Sequence, residues 1–432
     1  KLGDILLIAN AEMLSEVKIS ENKPIYESKI DKIIYNAEND LNEGLNDATD
    51  VLRKAPLLSV DLEGEVSLRG SKNIKFLVNG KASSFFSSDI ATALQMIPAD
   101  EIKSVEIITS PGAKYDGEGD AGIVNIITKR KVIDGYKSTV SGAFGSRVNR
   151  QNVNLSLGKG RFGLSARGGA HYSWPREGSS KLIRNQWGDI TENGDTNELN
   201  SLSNTFSQWI GYRGSINMFY DINAYNSIMS DIRISGRNSF SNDNTTSIYN
   251  LDTSNTYLET NGKNTNVEWS VDYIKTFAEN EDKELSVSLQ IGGSLGDDNI
   301  VNYNGKDKEG ELEYSTDNDE KEIEYTFQAD YTLPFLEENK LEVGTKIINR
   351  AREIVSTTTS NFNRYNFPQE IFNYNQQVLS TYISTDWNLA NEFGLKTGVR
   401  YEYTMISGEW ISGNLDPFNK PYGDILPSLT LS

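Results

Sequence analysis

From Gly135 onward, apolar and polar residues alternate one for one, and this period of two constrains the fold more tightly than any other feature of the chain. Val267, Trp269, Val271 and Tyr273 alternate with Glu268, Ser270 and Asp272. Ile323, Tyr325, Phe327, Ala329, Tyr331 and Leu333 alternate with Glu324, Thr326, Gln328, Asp330 and Thr332. Phe162, Leu164 and Ala166 alternate with Gly163, Ser165 and Arg167, and Leu395, Val399, Tyr401 and Tyr403 with Lys396, Arg400 and Glu402. Successive side chains of a strand point to opposite sheet faces, so each segment has one apolar face and one charged face.

A soluble sandwich also alternates, and two features favour a membrane barrel. The segments run to about ten residues or more, the length a tilted strand needs to cross the hydrocarbon, whereas soluble strands average about five or six. Aromatic residues cluster near segment ends (Tyr172 and Trp174, Trp269 and Phe277, Trp387 and Phe393), where interfacial girdles belong. The connections are expected to alternate too. Short turns fall at 159–161, 223–226, 278–283, 336–339 and 390–392, and long polar loops at 175–211, 241–266, 296–322 and 351–376. Short turns on one side and long loops on the other are the periplasmic and extracellular ends of an outer-membrane barrel.

Composition agrees with this and narrows the partners. The mean hydropathy is -0.51, low for a helical membrane protein, and no apolar run reaches the ~18 residues of a membrane helix. A barrel strand needs apolar residues on its lipid face only. The 432-residue chain has a net charge of -19, which argues against nucleic acid, and it has no cysteine. Its opening lacks the basic start of a secretory leader, and both ends read as cut through strands.

Before Gly135 the pattern is mixed α/β. Residues 30–35 form a short apolar strand. Asn46 or Asp47 caps a helix that turns Ala48, Val51, Leu52 and Ala55 inward and stops at Pro56. Glu63-Gly64 turns a hairpin. Ser87 or Ser88 caps a second helix, with Ile90, Ala91, Leu94 and Ile97 inward and Pro98 at its end. Strands at 105–109 and 123–128 flank a glycine-rich loop.

The run at 111–130, PGAKYDGEGDAGIVNIITKR, follows Ile102 to Thr109 (IKSVEIIT). Upstream lie Leu68-Arg69-Gly70 and Phe76-Leu77-Val78-Asn79-Gly80. In this order, across 33–131, these segments resemble the plug domain of TonB-dependent outer-membrane receptors. Arg69, Gly70, Asn79, Gly80, Pro111, Gly112, Tyr115, Gly122 and Asn125 carry the resemblance. It implies a mainly β protein: a transmembrane antiparallel β-barrel with an N-terminal α+β plug. Roughly eleven strands and the start of another would then be about half of the ~22 strands of a plugged transporter, a truncated barrel. The domains expected are the end of a preceding carboxypeptidase-regulatory-like β-sandwich (1–14), a linker (15–29), the plug (30–131) and the first half of the barrel (132–432).

The resemblance also implies roles. Glu16, Val17, Lys18 and Ile19 lie where such receptors pair with TonB, driven by its inner-membrane proton motor. An extended segment adds a strand to a partner sheet, although an ordinary linker reads the same way. Lys114, Tyr115 and Asp116 sit in a loop that forms an outward apex touching ligand, and Ser84, Phe85 and Phe86 in a second such loop, where the two rings could equally pack beneath the wall. Tyr-Asp-Gly replaces the usual Tyr-Gly there.

Other chemistries fit the residues poorly. Asp116, Glu118 and Asp120 alternate, but an EF-hand would need Glu where Ile127 stands. His171 is the single histidine, so neither a transition-metal site nor a His-based triad is expected. Glu268, Asp272, Glu324 and Asp330 share their face with Thr326 and Gln328, as ordinary lumen lining does. No catalytic residues, metal or cofactor are expected. The function implied is outer-membrane import of a scarce glycan, peptide or metal chelate by a Gram-negative cell, with outer-membrane lipid, TonB and a possible surface lipoprotein as partners. The alternatives are a plugged adhesin that never transports and a soluble glycan-binding protein.

Overall fold

A computed structural model describes residues 24–431 apart from 41–46, 62–63, 83–89, 96, 98, 116–121, 130–134, 191–195, 250–251, 337–338, 362–366, 389–392 and 413–414. Residues 1–14, Glu16, Val17, Lys18, Ile19, Ser84, Phe85, Phe86 and Asp116 therefore lie outside the described residues.

The N-terminal unit is built on a six-stranded sheet. Its strands are β1 (Tyr26–Ser28), β2 (Lys32–Tyr35), β5 (Ile74–Val78), β6 (Lys81–Ala82), β7 (Ile102–Ile108) and β8 (Gly122–Thr128), in the order β1-β2-β7-β8-β5-β6. Only β5 and β8 pair in parallel. A separate hairpin joins β3 (Leu58–Val60) to β4 (Val66–Leu68). Residues 26–28, counted with the linker in the sequence, are thus an edge strand of this sheet.

Helix α1 (Ala48–Lys54) starts where Asp47 accepts a 3.1 Å hydrogen bond from the Thr49 N–H. Ala48, Val51 and Leu52 fall on one helical face and are buried. With Leu94 of helix α2 (Ile90–Gln95) they pack on Ile107, Val124 and Ile126 of the sheet, and this is the one sizeable apolar core among the described residues.

Twelve strands follow, each antiparallel to its neighbours in chain order. They are β9 (Gly135–Ala143), β10 (Val148–Lys159), β11 (Phe162–Ile190), β12 (Thr196–Asn223), β13 (Asn226–Tyr249) and β14 (Asp252–Phe277). The others are β15 (Asn280–Asn304), β16 (Glu311–Phe335), β17 (Asn339–Ser360), β18 (Phe367–Asn388), β19 (Gly394–Trp410) and β20 (Phe418–Leu431). The two edge strands, β9 and β20, do not pair with each other, so the sheet is a curved wall rather than a closed ring.

The wall is apolar outside and polar inside. Trp269, Tyr325, Leu379, Ile383 and Tyr401 are between 40% and 48% exposed, while Glu268, Ser270, Ser380 and Arg400, one residue away, are at most 6% exposed. A soluble domain buries the opposite set. Aromatic rings ring the short-turn end: Phe277 meets Tyr331 at 6.4 Å and Phe335 meets Trp387 at 5.1 Å between centroids. From Phe162 to Trp174 a strand climbs roughly 30 Å at ~3.3 Å per residue and a tilt of about 40°, which matches the height of a lipid-facing band.

The long polar connections correct the sequence expectation. Most of 175–211, 241–266, 296–322 and 351–376 is strand, with β11 reaching 29 residues and β14 reaching 26. These lengths are more than twice the ~9–11 residues a span requires. Outside the hydrocarbon neither face must be apolar, so the alternation fades while the backbone ladder continues.

Candidate functional site: the plug against the barrel wall

The plug sits on the concave, polar face of the wall and is held there mostly by charge. Lys396 Nζ on β19 lies 3.0 Å from Asp31 in the turn between β1 and β2, and 3.3 Å from Asp386 on β18. Lys114 Nζ pairs with Glu342 on β17 at 3.4 Å. Arg167 on β11 meets Glu101 at 2.6 Å, and Arg150 on β10 meets Asp47 at 3.6 Å. Glu342, Asp386 and Lys396 lie near the short turns, so this end of the plug is docked at the short-turn end of the wall.

The signature residues of the sequence shape the turns of the plug, and one of those turns carries Lys114 to the wall. Arg69 and Gly70 (φ +50° and +86°) form the turn after β4, and Asn79 and Gly80 (φ +53° and +80°) the tight turn after β5. Asn125 ties three strands together: its Oδ1 accepts from the Gly80 N–H at 2.8 Å and its Nδ2 donates to Glu106 at 2.7 Å. Glu106 in turn accepts from Lys32 at 2.5 Å.

Gly122 is required twice over. Its φ is +127°, and a Cβ there would lie 2.6 Å from the Ile108 carbonyl oxygen and 2.8 Å from Leu68. Pro111 and Gly112 lead into a turn closed by the Tyr115 N–H on the Gly112 carbonyl, 3.0 Å. That turn presses Ala113 against Gly398 of β19, where a Cβ would come within 2.8 Å of Ala113.

Lys114 and Tyr115 have been expected to meet ligand. Here the ammonium of Lys114 is met by a wall carboxylate, and Tyr115 packs on Leu77, Ile108 and Ile123. Burial would lower the Lys114 pKa, but Glu342 and Asp330 outweigh it and hold it above the usual lysine value. Burial, with Glu106 and Asp31 nearby, raises the Tyr115 phenol, so it stays neutral. Asp31 and Glu342 escape a reading of the sequence because their partners are remote in the chain.

The lumen carboxylates are lining. Glu268 pairs with Arg233 at 3.1 Å, Glu324 with Arg350 at 2.5 Å, and Asp330 accepts from Tyr382 at 2.7 Å. Between plug and wall lies a cavity of about 780 Å³, lined by Asn79, Lys103 and Thr128 of the plug and by Arg213, Asp272 and Lys346 of the wall.

Residues 26–124 match the TonB-dependent receptor plug domain family, and residues 275–432 match the outer membrane protein beta-barrel family. This chain is a TonB-dependent receptor. The receptor belongs to the outer membrane of a Gram-negative cell, and its family and structural neighbours are receptors and transporters, not enzymes. Its fold is similar to the copper transporter OprC, at 14% identity and a TM-score of 0.57 over 94% of this chain and 60% of that one. It is similar also to the FpvAI–pyocin S2 complex, at 14% identity and a TM-score of 0.56 over 92% and 53%. The receptor thus spans little more than half the length of these two. The ferric-catecholate import receptor Fiu from E. coli K12, in its open form, aligns over 94% of this chain and 81% of its own at 13% identity and a TM-score of 0.46. A comparison with curated proteins finds no match.

Proposed function

We propose that this receptor binds a scarce nutrient (a glycan, a peptide or a metal chelate) outside the cell and passes it to the periplasm when TonB pulls on the N-terminal segment. One observation carries the reading: the plug is fixed to the wall by several separate ion pairs across its polar face. Asp31 to Lys396, Lys114 to Glu342, Glu101 to Arg167 and Asp47 to Arg150 are all of this kind. A charged interface can be rewetted as it opens, whereas an apolar one would expose core surface to water.

The pull would enter at β1. Glu16 to Ile19 precede this edge strand, and β1 leads through one tight turn to Asp31, so force along the chain reaches the Lys396 pair first. The apex residues Ser84, Phe85, Phe86 and Asp116 belong to the same proposal as ligand contacts, and a surface lipoprotein is a further partner consistent with it.

Deleting residues 15–19 from the receptor in cells tests the assignment. Binding that persists while uptake stops supports import driven by TonB. Uptake that continues unchanged, or binding without uptake in the unaltered receptor, favours a plugged adhesin and overturns it.

A further inference from the structure

Above the lipid band, three aromatic rings gather on the inner face of the wall. Phe372 on β18 stands directly opposite Trp410 on β19, their centroids 4.5 Å apart with planes at 37°. Phe418 on β20 follows at 6.0 Å and 55° from Trp410. Gly408 makes the space: a Cβ there would lie 2.4 Å from the Phe418 ring and 3.1 Å from Phe372.

Register fixes which way these rings face. Residues directly opposite in an antiparallel pair share a face, and side chains two apart along a strand do too. Phe372 is in step with Val378 and Ser380, and Trp410 with Arg400 and Thr404, all of which are at most 8% exposed on the lumen side. Trp410 ends a 17-residue strand that begins at the short turn, well beyond the ~9–11 residues needed to span. The rings therefore line the outer vestibule and do not touch lipid. Rings that served the bilayer interface would face outward, as Tyr401 and Tyr403 do.

We infer that Phe372, Trp410 and Phe418 form a stacking platform for an uncharged saccharide, which deepens the import reading above and rests on it. The planes turn by tens of degrees from ring to ring, which suits a chain of small saturated rings and disfavours one extended flat aromatic ligand. Sugar rings offer apolar C–H faces to aromatic carbon and hydroxyls to the sides. The sides are supplied by β16 and β17: Arg350 donates to Glu324 and to Gln376 at 3.0 Å, and Arg352 meets Glu320 at 2.8 Å. Fixed Arg–carboxylate pairs give donors and acceptors for neighbouring hydroxyls.

Charge selects against anions. Of the cations near the rings, Arg350 and Arg352 are already matched by carboxylates. A chelate or acidic glycan with several negative charges would find both arginines already neutralised, on a chain that carries -19 overall.

The test is binding to the purified receptor in detergent, read by isothermal calorimetry and tryptophan fluorescence. The probes are neutral hexasaccharides (α-1,4-glucan, β-1,3-glucan and β-1,4-xylan), a neutral hexapeptide, polygalacturonate and ferric tris-catecholate. Expected is binding of at least one neutral hexasaccharide. Trp410→Ala should weaken it at least tenfold, with Trp410→Phe intermediate because it keeps a ring in the cross-strand pair. A thermal midpoint unchanged in Trp410→Phe separates lost binding from lost folding. Binding of the peptide, polygalacturonate or the catecholate alone overturns the inference, as does absence of saccharide binding or saccharide binding indifferent to both substitutions. Saccharide binding that depends on Trp410 in a receptor that imports nothing sinks the import reading and leaves the platform standing.

Discussion

Lys396 of the barrel wall and Asp31 of the plug form an ion pair 3.0 Å long, with only 12% and 11% of their side chains exposed. It joins the first hairpin of the plug to β19, and Asp386 and Glu342 approach the same ammonium at 3.3 and 4.0 Å. Such a pair is costly to form and costlier to leave half-made. It holds the plug in place without sealing it.

Lys396→Met leaves Asp31 and Asp386 without their cation and Glu342 with Lys114 alone. The expected outcome is a plug docked more weakly by about 3 kcal/mol, seen as a lower denaturant midpoint for plug protection against protease. Barrel strand content should hold. A midpoint equal to that of the unaltered receptor would show that the pair contributes nothing.

Gly122→Ala and Gly70→Ala both place a side chain at positive φ, but only the first also collides with backbone. Gly70→Ala should destabilise the plug by about 1 kcal/mol, and Gly122→Ala by at least twice that, in urea titrations followed by protease protection of the plug. Equal costs at the two positions would contradict the close approach to Ile108.

Leu379→Arg puts a charge on the outer face of β18, whereas the adjoining Ser380 faces inward. Near the bilayer midplane such an arginine should cost about 2–4 kcal/mol in folding into vesicles, less toward either interface. A cost near zero would mean that this face does not meet hydrocarbon.

The raised pKa of Lys114 sets a direction with pH. A lysine held above its unfolded value adds stability that is complete below the unfolded pKa and disappears as pH rises through the folded one. Plug protection should therefore be flat from neutral pH to about 10 and fall above that. Lys114→Gln should lower the plateau and shrink the alkaline fall. An alkaline fall of unchanged size in that variant would dismiss the Glu342 contact as its source.

Asn125→Asp keeps an acceptor for the Gly80 N–H, removes the donor to Glu106 and sets two carboxylates side by side. Losses of about 1–3 kcal/mol are expected in the same urea titration, smaller at acidic pH where one carboxyl is protonated. A loss that grows on acidification would rule out this bond network.

Much of this was written locally. Asp47 as a cap, Pro56 as a stop and the Asn79-Gly80 turn follow from short-range sterics and hydrogen bonding, so much of the plug was legible residue by residue, although its edge strand β1 was not. The strands of the barrel were legible too where one face meets lipid. The outer halves of β11 to β18 were not, because in water the period of two loses its apolar half and Ser, Thr and Asn runs look like loops.

The chain by itself determined that two faces exist, where the turns fall and which glycines the plug needs, since each depends on neighbours within a few residues. That the polar face looks inward was already expected from the alternation; where the plug docks on that face was decided only in three dimensions. The same is true of the joints between Asp31 and Lys396, between Lys114 and Glu342, and of the rings over Gly408. Their partners are brought together by strand register and the curvature of the wall, and no local pattern encodes a contact made across separate strands.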